Sequence, residues 1–176
     1  MIRKEIGRRA ANTISGIRRY HNNKVRDFAT DKRKKKILEV GSGIKRNGYY
    51  YYSMKRFFDE SNTFLQTDVN KDFGHTVLDV TKMKYRDEFD IILCLNVLEH
   101  VYDFQKAVDN IYKSLKKNGI AVIAVPTFYP LHDEPGDYWR FTEHALRKIL
   151  GDFRKVKLEY KGIRQYPYTY YIEARK

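Results

Sequence analysis

From Lys36 onward, short apolar runs alternate with longer amphipathic stretches, the pattern of a largely parallel sheet covered on both faces. The runs predict strands over Lys36–Val40, Thr63–Thr67, His75–Val80, Phe89–Leu95 and Gly119–Val125. Helical spacing predicts helices at about Tyr51–Glu60, Tyr102–Lys117 and Thr142–Leu150. Asn118-Gly119 closes the second of these; Thr142 caps the third and Gly151 stops it. Two further strands, Lys155–Tyr160 and Tyr168–Ala174, have only Gly162 to Pro167 as a turn between them, so they pair antiparallel. The fold class that follows is α/β: a single doubly wound, mostly parallel seven-stranded sheet with an antiparallel C-terminal strand and helices on both faces.

Before Lys36 the period is different. Ile2, Ile6, Ala10, Ile14 and Ile17 recur at helical spacing, with Arg3, Lys4, Arg8, Arg9, Arg18 and Arg19 mostly on other faces. Residues 1–35 therefore read as a basic helical arm and 36–176 as the sheet domain. The charge sharpens this division. Of the formal net charge of +13, residues 1–36 carry 13 Lys and Arg against 3 acids, and the remainder 22 against 19. The arm can pack on the core, lie on an anionic membrane surface, or contact the phosphates of a nucleic acid.

With 176 residues, 42% hydrophobic and 32% charged, the chain has material for one folded domain. No apolar run is long enough to span a bilayer, and the first residues lack the apolar stretch of a secretory signal. The single cysteine, Cys94, lies inside an apolar run, so neither an internal disulfide nor a cysteine metal cluster is expected. These features point to the cytoplasm, with peripheral membrane association through the arm as the variant; they give no oligomeric state.

The chemistry begins at Glu39-Val40-Gly41-Ser42-Gly43, where a strand runs into a glycine turn that lets a ligand approach the main chain. A dinucleotide fingerprint needs a third glycine at position 46, which is Arg46. An adenosine-type ligand without that pyrophosphate fits better. Asp68 follows 25 residues after Gly43 at a strand end, where an open sheet brings a carboxylate beside ribose hydroxyls. Asp79 closes the next strand. Each acid also has a structural role open to it: Glu39 holding a loop, Asp68 terminating a strand, Asp79 capping a turn at Thr81. Asp90, at the opposite end of its strand, is assigned a structural role.

Over Lys36 to Phe153 the chain resembles the class I S-adenosylmethionine methyltransferases, and within them the type 11 small-molecule branch. Glu39, Gly41 and Gly43 match the first motif, with Lys45 where a third glycine is common. The resemblance implies S-adenosyl-L-methionine as cofactor, with Asp79 at the adenine amino group, Val80 giving a backbone contact, and Leu95 and Asn96 near the methionine part. Ser42 and Val69 complete the implied cofactor set.

The segment Pro126 to Phe141 follows the fifth strand and is rich in aromatic and polar residues, a placement that suits an acceptor wall. Its Asp-Tyr-Trp-Arg-Phe-Thr stretch resembles enzymes that tailor glycans and other small molecules. His132 is the first candidate general base, oriented by Asp133 or Asp137, and His100 the second. Trp139 and Phe141 read as loop anchors, and Arg140 as the partner of a core carboxylate. The expected reaction is in-line methyl transfer to a small-molecule or glycan acceptor, with no metal expected. Two alternatives stand beside it: an RNA methyltransferase using the basic arm, and a catalytically silent binding subunit. Asn96-Val97-Leu98-Glu99 lacks the proline pair that serves base amino groups, and Leu93-Cys94 is not the Pro-Cys of cytosine enzymes.

Overall fold

A computed structural model describes residues 2–46, 49–50 and 52–176, and the side chains of 15–44 and 52–176. A long helix α1 (Ile2–Ala29) precedes β1 (Lys36–Val40), the short hairpin β2 (Lys45–Arg46) and β3 (Tyr49–Tyr50), then β4 (Thr63–Asp68), β5 (Thr76–Val77) and β6 (Phe89–Leu95). Helix α2 (Phe104–Ser114), β7 (Leu115–Pro126), α3 (Glu143–Ile149), β8 (Lys155–Ile163) and β9 (Tyr166–Arg175) follow. The main sheet has the order β5-β4-β1-β6-β7-β9-β8. The first five of these pair in parallel, and β9 runs antiparallel between β7 and β8. This is the seven-stranded architecture expected from the run pattern.

Alternation along the strands divides the core. Leu38, Val40, Ile92, Cys94, Ala121, Ile123 and Ile172 face α2 and α3, where Ala107, Ile111, Leu146 and Leu150 meet them. Ile37, Ile91, Leu93, Val122 and Tyr171 face α1, which supplies Val25, Phe28 and Ala29. Ile17, His21, Val25 and Ala29, each four residues from the next, are all buried and continue the helical stripe past the residues that first suggested it. The face carrying Ile2, Ile6, Ala10 and Ile14 lies outside the described side chains.

Three sequence expectations change. The expected helix over 51–60 is instead a single 3-10 turn, Lys55–Phe57. Its helical spacing is real, since Met54 and Phe58 are both buried, but the Ser53 hydroxyl and the Met54 N–H are drawn to Glu39, and the turn closes with i to i−3 bonds. The second helix ends at Ser114 rather than near Lys117. Leu115 enters the core fully buried, and Asn118-Gly119 lies inside β7, with Asn118 at φ 64° beside a register shift against β6. The third strand shortens to Thr76–Val77, so Asp79 is not a strand end: it caps the 3-10 turn Val80–Lys82.

Candidate active site

Glu39 leaves β1 on the α1 face and is only 2% exposed. Its Oε2 accepts hydrogen bonds from Ser42 Oγ at 2.7 Å and Ser53 Oγ at 2.6 Å, and Oε1 accepts from the Met54 N–H at 2.6 Å. Burial pushes this carboxyl above its ordinary value, and those three donors pull it back. Glu39 therefore ties the glycine turn to the segment that follows it. Gly41 and Gly43 take φ of 74° and 72°, in the left-handed region where glycine is favoured. A Cβ on Gly41 would meet Val97 at 2.5 Å, and one on Gly43 would meet the Tyr52 ring at 2.6 Å. The Arg18 guanidinium of α1 lies 4.7 Å over that ring, so helix, tyrosine and turn are stacked.

Asp68, 7% exposed, closes on the same turn: Oδ2 accepts from the Gly43 N–H at 2.9 Å and Oδ1 from the Asn70 N–H at 3.0 Å. The His75 Nε2 donates to the Gly43 carbonyl at 2.9 Å. A carboxylate offers about four lone-pair sites, so Asp68 keeps acceptor capacity for ligand hydroxyls. The Leu78 N–H bonds the Asp68 carbonyl, keeping Asp79 alongside. Asp79 Oδ1 accepts from both the Thr81 N–H and its hydroxyl, so the capping role is present. Val80 is buried, and its carbonyl takes the Asn110 amide. Val69 and Val77 are 71% and 59% exposed, leaving apolar surface beside these acids. Flexible glycines, a carboxylate with spare lone pairs and bare apolar surface suit an adenosine-bearing ligand. Asp68 thus sits on the glycine turn and Asp79 follows the Leu78 that bonds it, while Glu39 is spent on internal bonds.

Between this end and the next lies Asn96, just past the end of β6 and at φ 55°, whose N–H donates to the Ala124 carbonyl of β7; Leu95 before it is half-buried. His21 of α1 is 3% exposed and 3.0 Å from Thr169 Oγ1. The Thr169 hydroxyl gives its proton to the Val125 carbonyl, so His21 Nε2 must be the donor to Thr169. Burial lowers the imidazole to about 4, with the Asn96 side chain opposing the shift.

At the acceptor end, β6 leads into the 3-10 turn Leu98–His100. Glu99 is 0% exposed, and neither carboxylate oxygen has a hydrogen-bond partner among the described residues. Burial pushes the carboxyl up to about 8; its own N–H, the Arg140 charge and the nearby Asn96 side chain pull it down, none of them through a hydrogen bond of proper geometry. His100 Nδ1 bonds the Gly136 carbonyl at 2.8 Å, and its Nε2 lies 4.0 Å from Glu99 Oε1 and 4.0 Å from Asp133 Oδ2. His132 packs edge-on against His100, ring centroids 4.8 Å apart. Its Nδ1 faces the Pro130 carbonyl at 3.1 Å and Asp137 Oδ2 at 3.2 Å, so the orienting acid is Asp137, and Asp133 faces His100 instead. Arg140 forks onto Asp137 at 2.6 and 2.7 Å, which holds that carboxyl well below the usual carboxylate range. Phe141 is buried against Phe104, and Trp139 Nε1 donates to the Tyr102 carbonyl at 3.3 Å. Asp90 accepts from the Lys36 N–H and Lys116 Nζ at the far end of the sheet.

The two histidines singled out from sequence are thus brought together. Sequence reasoning missed Glu99 and His21. Glu99 had one signal, an acid directly after the apolar pair Val97-Leu98; His21 had its place four residues from Ile17 and Val25.

The methyltransferase domain family matches residues 14–154. The tRNA U34 carboxymethyltransferase of Sulfurimonas denitrificans is 29% identical over 114 residues, covering 57% of this chain and 37% of that protein. The ubiquinone biosynthesis O-methyltransferase of Rickettsia canadensis is 27% identical over 112 residues, covering 57% and 47%. The chain therefore matches less than half the length of either relative. Among solved structures, a SAM-dependent methyltransferase from Archaeoglobus fulgidus superposes with a TM-score of 0.64 at 16% identity, covering 90% of this chain and 94% of that one. The 1,6-didemethyltoxoflavin-N1-methyltransferase of Burkholderia thailandensis, crystallised with bound 1,6-didemethyltoxoflavin and S-adenosylhomocysteine, gives 0.63 at 18%, covering 99% and 87%. With a family match over most of its length and this strand order, the chain belongs to the class I, S-adenosylmethionine-dependent methyltransferase-domain family.

Proposed function

We propose that the chain transfers the methyl group of S-adenosylmethionine to a small-molecule or glycan acceptor held against the 126–141 loop. The observation that carries this reading is the pairing of a cofactor-type turn with an aromatic wall at the same edge of the sheet. Tyr102, Phe128, Leu131 and Tyr138 are 73%, 68%, 71% and 48% exposed around the His100–His132 pair. Tyr102 and Tyr138 stack edge-on at 5.5 Å, and such faces suit a flat ring or the apolar face of a sugar. The bound cofactor supplies an activated methyl group on a sulfonium.

The chain's own residues do the rest. Gly41, Gly43 and Asp68 fix the adenosine portion, Asp79 and Val80 bound the adenine side, and Leu95 and Asn96 line the passage toward the acceptor. Alignment of the two reactants is the main source of rate. The His100 and His132 side chains each bond a carbonyl through Nδ1, leaving Nε2 of the neutral ring to take an acceptor proton. Such assistance is worth about 10² to 10⁴ in rate.

Calorimetric titration with S-adenosylmethionine tests the reading: saturable binding by the wild-type chain, weakened by Asp68→Ala, is expected, and no binding at millimolar cofactor overturns it. Transfer of labelled methyl to phenolic or sugar hydroxyls then identifies the acceptor.

A second reading, methylation of RNA, is favoured by one cluster. Arg18 and Arg26 of α1 lie close enough to Arg56 for their charges to lower its guanidinium, after the larger effect of burial. One relative acts on tRNA by its name. Filter binding of tRNA separates the two: the RNA reading expects Arg18→Glu with Arg56→Glu to weaken binding about 10-fold or more and to flatten its salt dependence. Unchanged affinity removes it.

A further inference from the structure

We infer that Glu99, His100 and His132 form a binding site for a divalent first-row metal ion of the Mn²⁺, Co²⁺ or Zn²⁺ kind. One ligand atom from each residue lies within 4.8 Å of the other two. Ligands about 2.0–2.2 Å from one ion at tetrahedral angles sit about 3.3 to 3.6 Å apart, so the 4.0 Å between His100 Nε2 and Glu99 Oε1 needs about half an ångström of closure. The widest separation, within 4.8 Å, needs at most about 1.5 Å of closure.

Three independent features point the same way. Glu99 is fully buried with both oxygens unpartnered among the described residues, an expensive state that a cation relieves. Both imidazoles are oriented through Nδ1. His100 gives that proton to the Gly136 carbonyl, and His132 gives it to the Pro130 carbonyl beside the Asp137 carboxylate. A carbonyl can only accept, so each neutral ring carries its lone pair on Nε2, as in metal sites whose histidines are fixed by outer partners. Third, the Arg140 fork fixes Asp137, so the outer partner of His132 is itself held.

Two nitrogens and one carboxylate suit these ions better than Mg²⁺ or Ca²⁺, which favour all-oxygen shells. The set leaves coordination positions open; with an ion bound both Nε2 lone pairs are engaged, so the base role proposed above belongs to the metal-free chain. Asp133, 82% exposed and 4.0 Å from His100 Nε2, stands on that open side with the acceptor loop. An acceptor bearing paired oxygens would take those positions; this last point alone rests on the methyltransferase reading.

The test uses the untagged, chelator-treated chain of residues 1–176. Titration with Co²⁺ followed by visible absorption, and with Zn²⁺ by calorimetry, is expected to show one ion per chain. His132→Gln, on the exposed loop, is expected to weaken binding on the order of 100-fold, and Glu99→Gln at least as much. His144→Gln, an exposed histidine on α3, should leave it unchanged. Absence of one-to-one binding below millimolar metal overturns the inference, as does an equal loss in His144→Gln and His132→Gln. Cofactor titration of the same samples keeps the two claims apart: S-adenosylmethionine binding without metal binding removes this inference and leaves the proposed function standing.

Discussion

Two buried glutamates stand at the two ends of the candidate site, and their surroundings are opposite. Glu39 is 2% exposed and accepts three hydrogen bonds of 2.6 to 2.7 Å. Glu99 is 0% exposed, and among the described residues its carboxylate accepts none. Each follows a buried run at or just after the C-terminal end of a parallel strand, so strand position alone does not separate them. The donors do. Ser42, Ser53 and Met54 make Glu39 a finished hub that shapes the glycine turn, whereas Glu99 faces two imidazoles that present lone pairs rather than protons. The first end is built to hold itself, and the second is built to hold something else.

The largest way to break this contrast is Glu39→Ala. It strands three donors under the sheet edge and is expected to cost about 3 to 5 kcal/mol, read from urea unfolding; a cost under about 1 kcal/mol would mean that the hub is dispensable. Next comes His21, which joins α1 to the junction between the two ends. Its pKa of about 4 in the folded chain, against about 6.5 unfolded, means that the unfolded chain binds the proton first as pH falls. Its contribution is therefore complete above about pH 6.5 and declines toward pH 4, by up to about 3 kcal/mol. His21→Gln should flatten that part of the stability profile, and parallel profiles for the two proteins would refute the assignment.

Gly43→Ala places a methyl group against the Tyr52 ring at positive φ and is expected to cost about 2 kcal/mol and to weaken cofactor binding. In a double-mutant cycle, Tyr52→Ala should recover the steric part and leave the backbone part. The smallest effect is the sharpest. Glu99→Gln keeps the shape and deletes no hydrogen bond found among the described residues, so metal-free stability should change by less than about 1 kcal/mol or rise. A loss comparable with that of Glu39→Ala would erase the distinction between the two ends.

Much of the framework was legible because burial on both faces leaves continuous apolar runs. Lys36–Val40 and Phe89–Leu95 form strands over the predicted spans, and the C-terminal pair turned out antiparallel as its short connection required. The helix predicted over 51–60 failed because its apolar spacing was satisfied by one 3-10 turn once Glu39 had taken the Ser53 and Met54 donors. The second helix was drawn too long because Asn118-Gly119 resembles a helix stop, whereas the fully buried Leu115 already starts the strand. At the site, glycines and strand-end acids carry a local signature. Glu99 and His21 do not, since a carboxylate without donors and an imidazole under a helix are defined by residues far away in the chain. His21 meets Thr169 across 148 positions.

The place of β9 has a consequence for how the chain is made. It follows β7 and β8 in sequence, yet lies between them in the sheet. A ribosome therefore releases two strands that cannot join until the later one emerges to bridge them. The same strand carries Thr169, the anchor for His21, so the helix made first waits on the strand made after all its neighbours. A product broken off before Tyr166 would expose the open edges of β7 and β8, and cellular proteolysis would meet it as unfinished protein.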